Sequence, residues 1–230
     1  AVAQIILIDI LLGGDNAVVI ALACRKLPPE QRKKGIFWGV MGAIGLRIVL
    51  IFFALQLLAI PWLKIVGALL LFWIGVKLLI PEEDAHGDVA ASTNLAGAIK
   101  TIIVADAVMS LDNVIAVAGA ANGSMLLVTF GILVSIPIVV WGSQLVLKLM
   151  DRYPIVITAG GALLGWIGGG MMVSDPALPA GLFDGIPYPK QLMSAAGALL
   201  VIVIGKWLAA RTAPRAAIEL TAGDSTKGSS

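Results

Sequence analysis

Cysteine and histidine are almost missing from this chain: Cys24 and His86 are the only ones in 230 residues. A lone cysteine excludes an intramolecular disulfide and a thiolate metal cluster. Charge is scarce as well. Asp, Glu, Lys and Arg make up 13% of the residues, where soluble domains carry roughly a quarter, so a water-soluble domain is excluded. The short alternation of apolar and polar residues that marks a membrane β-barrel is also missing. What the chain has instead is 59% hydrophobic residues and a mean hydropathy of +0.99. They come in runs of about 20, enough to cross a hydrocarbon core as helices. The 26 glycines suit helices that pack closely in lipid. The first run is too long and too acidic for a cleaved signal peptide and reads as a membrane helix. A net charge of +2 identifies no partner, and no nucleic acid is implied; the bilayer is the one partner composition requires.

The fold class that follows is an all-α membrane protein. Prolines and glycines punctuate the apolar runs and predict seven transmembrane helices at 3–24, 36–59, 62–80, 97–119, 125–147, 154–173 and 190–209. The first loop holds Arg25, Lys26, Arg32, Lys33 and Lys34, which the positive-inside rule places in the cytoplasm. Alternation then puts Lys77, Lys100, Lys148, Arg152, Lys206, Arg211 and Arg215 on that side, with Lys64 and Lys190 opposite. The expected topology has the N-terminus outside and the C-terminus in the cytoplasm. The run Glu82-Glu83-Asp84-Ala-His86-Gly-Asp88 reads as a solvated cytoplasmic loop; cation gathering, with His86 as a ligand, is the rival reading.

Inside two of the apolar runs stands a repeated acidic signature. Asp9-Ile-Leu-Leu-Gly-Gly-Asp15-Asn16 is matched by Asp106-Ala-Val-Met-Ser-Leu-Asp112-Asn113, with aliphatic residues following both. The likeness continues: Pro61 to Lys77 resembles Pro154 to Gly170, with Gly67, Trp73 and Gly75 against Gly160, Trp166 and Gly168. Helices one to three therefore match helices four to six. Three is odd, so the second copy enters from the opposite face, giving two inverted three-helix repeats plus one extra helix, with a site near the midplane between the copies. The units expected are a first repeat at 1–80, an acidic loop at 81–96, a second repeat at 97–173, an outer loop at 174–189, a seventh helix at 190–210 and a disordered tail at 211–230.

A carboxylate in hydrocarbon costs several kcal/mol, and four in matching places point to binding of something positive. At about 100° per residue, Asp9 and Asn16 share a helix face while Asp15 points roughly 120° away. Gly13-Gly14 is expected to unwind there, freeing backbone carbonyls, including that of Gly14, as further ligands. Ser110 replaces a glycine in the second copy and makes a break there less favoured. Carboxylate, amide and carbonyl oxygens suit magnesium, calcium or manganese. Met109 would bias the choice toward manganese as a thioether ligand, or else it is packing. Arg47 lies near the middle of the second helix and needs an anionic partner, for which an aspartate of the site serves. It acts as counter-ion and gate, or as a structural lock. Four aspartates against one arginine leave three negative charges, which a divalent ion and a proton would neutralise.

At these residues the chain resembles the TerC family of bacterial membrane proteins, and within it the YjbE-type branch. The resemblance rests on Asp9-x5-Asp15-Asn16, Ala-Cys-Arg-Lys-Leu-Pro-Pro at 23–29, Arg32-Lys33-Lys34-Gly35, Leu46-Arg47 and Asp106-x5-Asp112-Asn113. It implies a seven-helix fold of the lysine-exporter-like superfamily and export of manganese. On that reading Asp15, Asn16, Asp112 and Asn113 are core ligands, and Asp9 and Asp106 are secondary ligands or proton carriers. Manganese(II) is the transported ion rather than a cofactor, protons are the coupling ion, and an oligomer is compatible with the family. Calcium or magnesium export is the near alternative. A small cationic organic solute would want an aromatic wall that neither signature contains. An intramembrane aspartyl protease would want Gly-x-Gly-Asp, where this chain has Leu12-Gly13-Gly14-Asp15.

Overall fold

The computed structural model describes the backbone of residues 2–53, 56–57, 59–80, 88–120, 125–179, 181–183 and 185–225. Side chains are described for 14–53, 56–57, 59–80, 95–111, 133–179, 181–183 and 185–211. Among these residues are seven helices and no strand: α1 (Val2–Arg25), α2 (Pro29–Phe52), α3 (Leu63–Leu79), α4 (Asp88–Ala120), α5 (Met125–Arg152), α6 (Ile155–Val173) and α7 (Pro189–Ser225). Helices are the form such residues must take in lipid, where a backbone N–H has no water to bond. Four of them are long and apolar enough to cross a membrane, over Pro29–Phe52, Leu133–Arg152, Ile155–Val173 and Pro189–Arg211. Trp38, Trp73, Trp141, Leu199, Val203 and Trp207 are exposed, an apolar surface that lipid rather than water accommodates.

Several boundaries depart from the sequence reading. Helix two occupies Pro29–Phe52 and not 36–59. Proline at the first helical position has its φ preset and loses no bond, and Glu30 in the first turn meets the positive end of the helix dipole. The charged residues Arg32–Lys34 are therefore helical. Helix four begins at Asp88 rather than 97, inside the segment read as an acidic loop. The rest of that loop, with Glu82, Glu83, Asp84 and His86, lies outside the described residues. Where a disordered tail was expected from 211, α7 continues to Ser225; Ala213, Ala216, Ala217 and Leu220 favour helix, while Pro214 opposes it.

α6 packs most extensively on α7, α1 on α5, and α2 on α4; α3 lies against α6 and α7, and α1 against α4. The core runs through Leu22, Ile36, Leu71, Ile102, Met150 and Leu164. Glycine sets the α6–α7 distance. A Cβ at Gly169 would run into the Met193 carbonyl, and one at Gly165 into the Gly197 carbonyl. Backbone cannot swing aside, so these positions hold the two helices at close approach.

α3 is closed at both ends by distant residues. At its start Trp62 is left-handed, with φ 70°, and offers no side-chain cap. The buried Asp175, in the loop after α6, accepts instead from the N–H groups of Trp62 (2.8 Å), Lys64 (2.9 Å) and Ile65 (3.1 Å), and from Ala177 (2.7 Å). Burial raises the energy of its charged form, but these four donors prevail and hold its carboxyl below the usual range. At the other end the ammonium of Lys26 donates to the carbonyls of Ile80 (2.7 Å) and Lys77 (3.3 Å), and Arg25 to that of Leu78 (3.4 Å).

Candidate cation site

Three helices bring the polar residues of the interior together. α1 contributes Gly14, Asp15 and Asn16; α2 contributes Arg47; α4 contributes Asp106, Met109 and Ser110. Arg47 reaches across to α4, where its Nη2 donates to Asp106 Oδ1 at 2.5 Å and its Nε to Ser110 Oγ at 3.1 Å and Asp106 Oδ2 at 3.4 Å. Ser110 Oγ in turn donates to Asp106 Oδ2 at 3.3 Å. Both charged side chains are withdrawn from solvent, 12% and 8% exposed. The carboxylate and the guanidinium thus neutralise one another and satisfy each other's polar atoms, the arrangement a buried ion pair requires.

Asp106, expected as a secondary ligand or proton carrier, forms an ion pair with Arg47, which was expected to take an aspartate of the site as its partner. Ser110, read only as the residue that replaces a glycine, completes this triad. One turn separates Asp106 from Ser110, so both face α2. That i, i+4 spacing was the available signal.

Asp15 lies partly buried, within the electrostatic reach of both Arg47 and Asp106. Its Oδ1 accepts from the backbone N–H of Asn16 at 2.9 Å. The unwound turn expected at Gly13-Gly14 is not there: α1 is helical from Val2 to Arg25, and α4 is likewise unbroken across its signature. A continuous helix keeps its carbonyls bonded internally, so the Gly14 carbonyl is not released as a ligand. Gly14 is exposed, and a Cβ there would meet nothing within 4 Å.

Asn16 is the most informative side chain in this group. It is 4% exposed, and its Oδ1 has no hydrogen-bond partner among the described residues. A buried amide oxygen left without a donor costs roughly 1–3 kcal/mol, and a cation would satisfy it. Asp9 sits on α1, and Asp112 and Asn113 on α4, as the helices require; their side chains lie outside those described. Among the described residues no three His, Cys, Asp or Glu side chains gather into a metal centre.

A cavity of about 420 Å³ reaches this group. Asp15 and Met109 line it, along with Trp166 and Ser194, and Lys64 and Lys190 belong to the same wall. These two lysines are the pair that the expected topology sets on the outer face. The cavity residues on α6 and α7 escaped the sequence reading because neither helix carries the acidic signature.

The sequence model described as "Integral membrane protein TerC family" matches residues 1–213. "Uncharacterized membrane protein YjbE" of Bacillus subtilis is 47% identical over 171 residues, which is 74% of this chain and 78% of that one. "Uncharacterized membrane protein YceF" of the same organism is 28% identical over 179 residues, 72% of this chain and 68% of its own. "UPF0053 inner membrane protein YgdQ" of Escherichia coli is 24% identical over 173 residues, 68% and 73% of the two chains. No solved structure matches the chain.

Proposed function

The chain belongs to the TerC family of integral membrane proteins, and from that premise we propose that it is a secondary transporter exporting manganese(II) from the cytoplasm in exchange for protons. The observation that carries this reading is the buried Asn16, whose Oδ1 has no partner among the described residues, next in the chain to Asp15, which lines the cavity. Asp106 pairs with Arg47, and in this reading Asp9, Asp15 and Asp112 supply the negative charge for the cargo. Three carboxylates carry charge enough to hold a divalent ion in one state and protons in the other, the alternation that metal–proton exchange needs. Met109 lines the same cavity, and its thioether favours manganese over calcium or magnesium, which prefer oxygen alone.

The helix contacts support two inverted repeats. Matching α1 to α4, α2 to α5 and α3 to α6 turns the α1–α5 contact into the α4–α2 contact, and both are extensive. The α1–α4 and α3–α6 contacts then lie on the pseudo-two-fold axis, with Asp15 and Asp112 related across it. Rocking of one repeat against the other about this axis is the expected transport step. With the N-terminus outside, the cavity faces outward, and the cytoplasmic side is held by Arg32, which bonds Asp151 at 2.8 Å.

Manganese binding to the purified chain tests the assignment. Bound manganese loses its free-ion electron paramagnetic resonance signal. Saturable loss is expected for the wild type and for neither Asp15→Asn nor Asp112→Asn, both folded. Undiminished binding in the two variants would refute the ligand set.

A further inference from the structure

A second cavity, of about 200 Å³, opens among α1, α3 and α4 at the other end of the molecule. Lys26 is eleven residues beyond Asp15, just past the end of α1 and about 16 Å further along its axis, so this cavity is separate from the candidate cation site. Its polar lining comes from Lys26, Lys77, Trp73 and Thr101; Leu27 and Leu78 are among its apolar residues. The ammonium of Lys26 is fixed by the carbonyls of Ile80 and Lys77. That of Lys77 stands 5.2 Å from the centroid of the Trp73 ring. Thr101 Oγ1 donates to the Gly97 carbonyl at 2.9 Å, which leaves its lone pairs to accept. A Cβ at Gly97 would meet nothing within 4 Å, so the wall is open there.

We infer that this cavity is a headgroup site for an anionic phospholipid. Two ammonium groups with an apolar floor match a phosphodiester joined to glycerol and acyl chains. Trp73 and Lys77 are exposed, one turn apart near the end of α3, and aromatic rings beside basic residues are favoured where a helix meets lipid headgroups. Thr101 would accept from a headgroup hydroxyl. A soluble cytoplasmic anion offers the same phosphate but has no use for the apolar floor beside a surface tryptophan. A phosphate bonded by Lys77 would lie in the field of the fixed Lys26 ammonium beside it.

The test uses the full chain in phosphatidylcholine nanodiscs, with phosphatidylglycerol added in steps and the melting midpoint followed. Phosphatidylglycerol is expected to raise the midpoint saturably. Lys77→Gln should weaken the apparent affinity about fivefold, since one lysine near an anionic surface contributes about 1 kcal/mol. Lys77→Arg should retain it, and Lys148→Gln, an exposed lysine on α5 outside the cavity, should leave it unchanged. As a measurement independent of stability, brominated phosphatidylglycerol should quench wild-type tryptophan emission more than that of Trp73→Phe. Equal losses in Lys77→Gln and Lys148→Gln would reduce the effect to diffuse surface charge and overturn the site. A midpoint rise produced equally by inorganic phosphate or glycerol phosphate would overturn the lipid assignment.

Discussion

Arg47 and Asn16 make opposite demands on stability, and mutation separates them. Removing Arg47 would leave Asp106 charged, buried and unpaired, which costs about 3–5 kcal/mol in comparable pairs. Arg47→Met is expected to lower the melting midpoint in detergent by many degrees, and Arg47→Met with Asp106→Leu to recover most of the loss. If the double variant melted no higher than the single one, the ion pair would not be what matters at Arg47. Asn16→Ala removes an acceptor that has no donor among the described residues, so its midpoint should hold or rise while manganese flux is lost. A fall in midpoint with flux intact would make Asn16 a packing residue. The carboxylates and Arg47 were legible in the sequence because charge inside an apolar run demands a reason. Asp175 was not, because it lies in a proline-rich loop where no periodicity marks which side chain turns inward.

At the scale of the elements, each helix was legible as an apolar run, but its ends were not. Residues at the membrane surface are polar whether helical or not. Glu30 to Lys34 therefore read as loop yet form the first turns of α2. The predicted break in α1 failed for a related reason: glycine permits unwinding but does not compel it, and lipid penalises the freed carbonyls. Gly14→Ala should then be tolerated, stabilising α1 by up to about 1 kcal/mol with flux retained; loss of flux with folding intact would restore a bend at Gly14. Gly169→Ala should do the reverse, since the Met193 carbonyl occupies the space. The expected loss is about 1–3 kcal/mol or more, read as a lowered midpoint. The Asp175 clamp on α3 has its own signature in pH. Its carboxyl titrates below the ordinary 3.8, so its stabilisation is complete above that value and is lost as pH falls through the lower folded-state value. The wild-type midpoint should drop on acidification below about pH 4, and Asp175→Asn, lower at neutral pH, should show a smaller drop.

For the molecule as a whole, the doubled signature pointed to two related halves; what the structure shows is seven packed helices, with α1 on α5 and α2 on α4 among the extensive contacts. The cavity walls were invisible in the sequence because α6 and α7 contribute Trp166, Ile167, Gly170 and Ser194, residues that any packed helix pair can hold. The most direct measurement is manganese flux in proteoliposomes, with and without a pH gradient and with calcium or magnesium as competitors. Saturable manganese flux that responds to the pH gradient, resists calcium and magnesium, and disappears in Asp15→Asn and Asp112→Asn is the expected result. Flux of equal size in those two variants, or no manganese flux under any gradient, would contradict the proposed exporter.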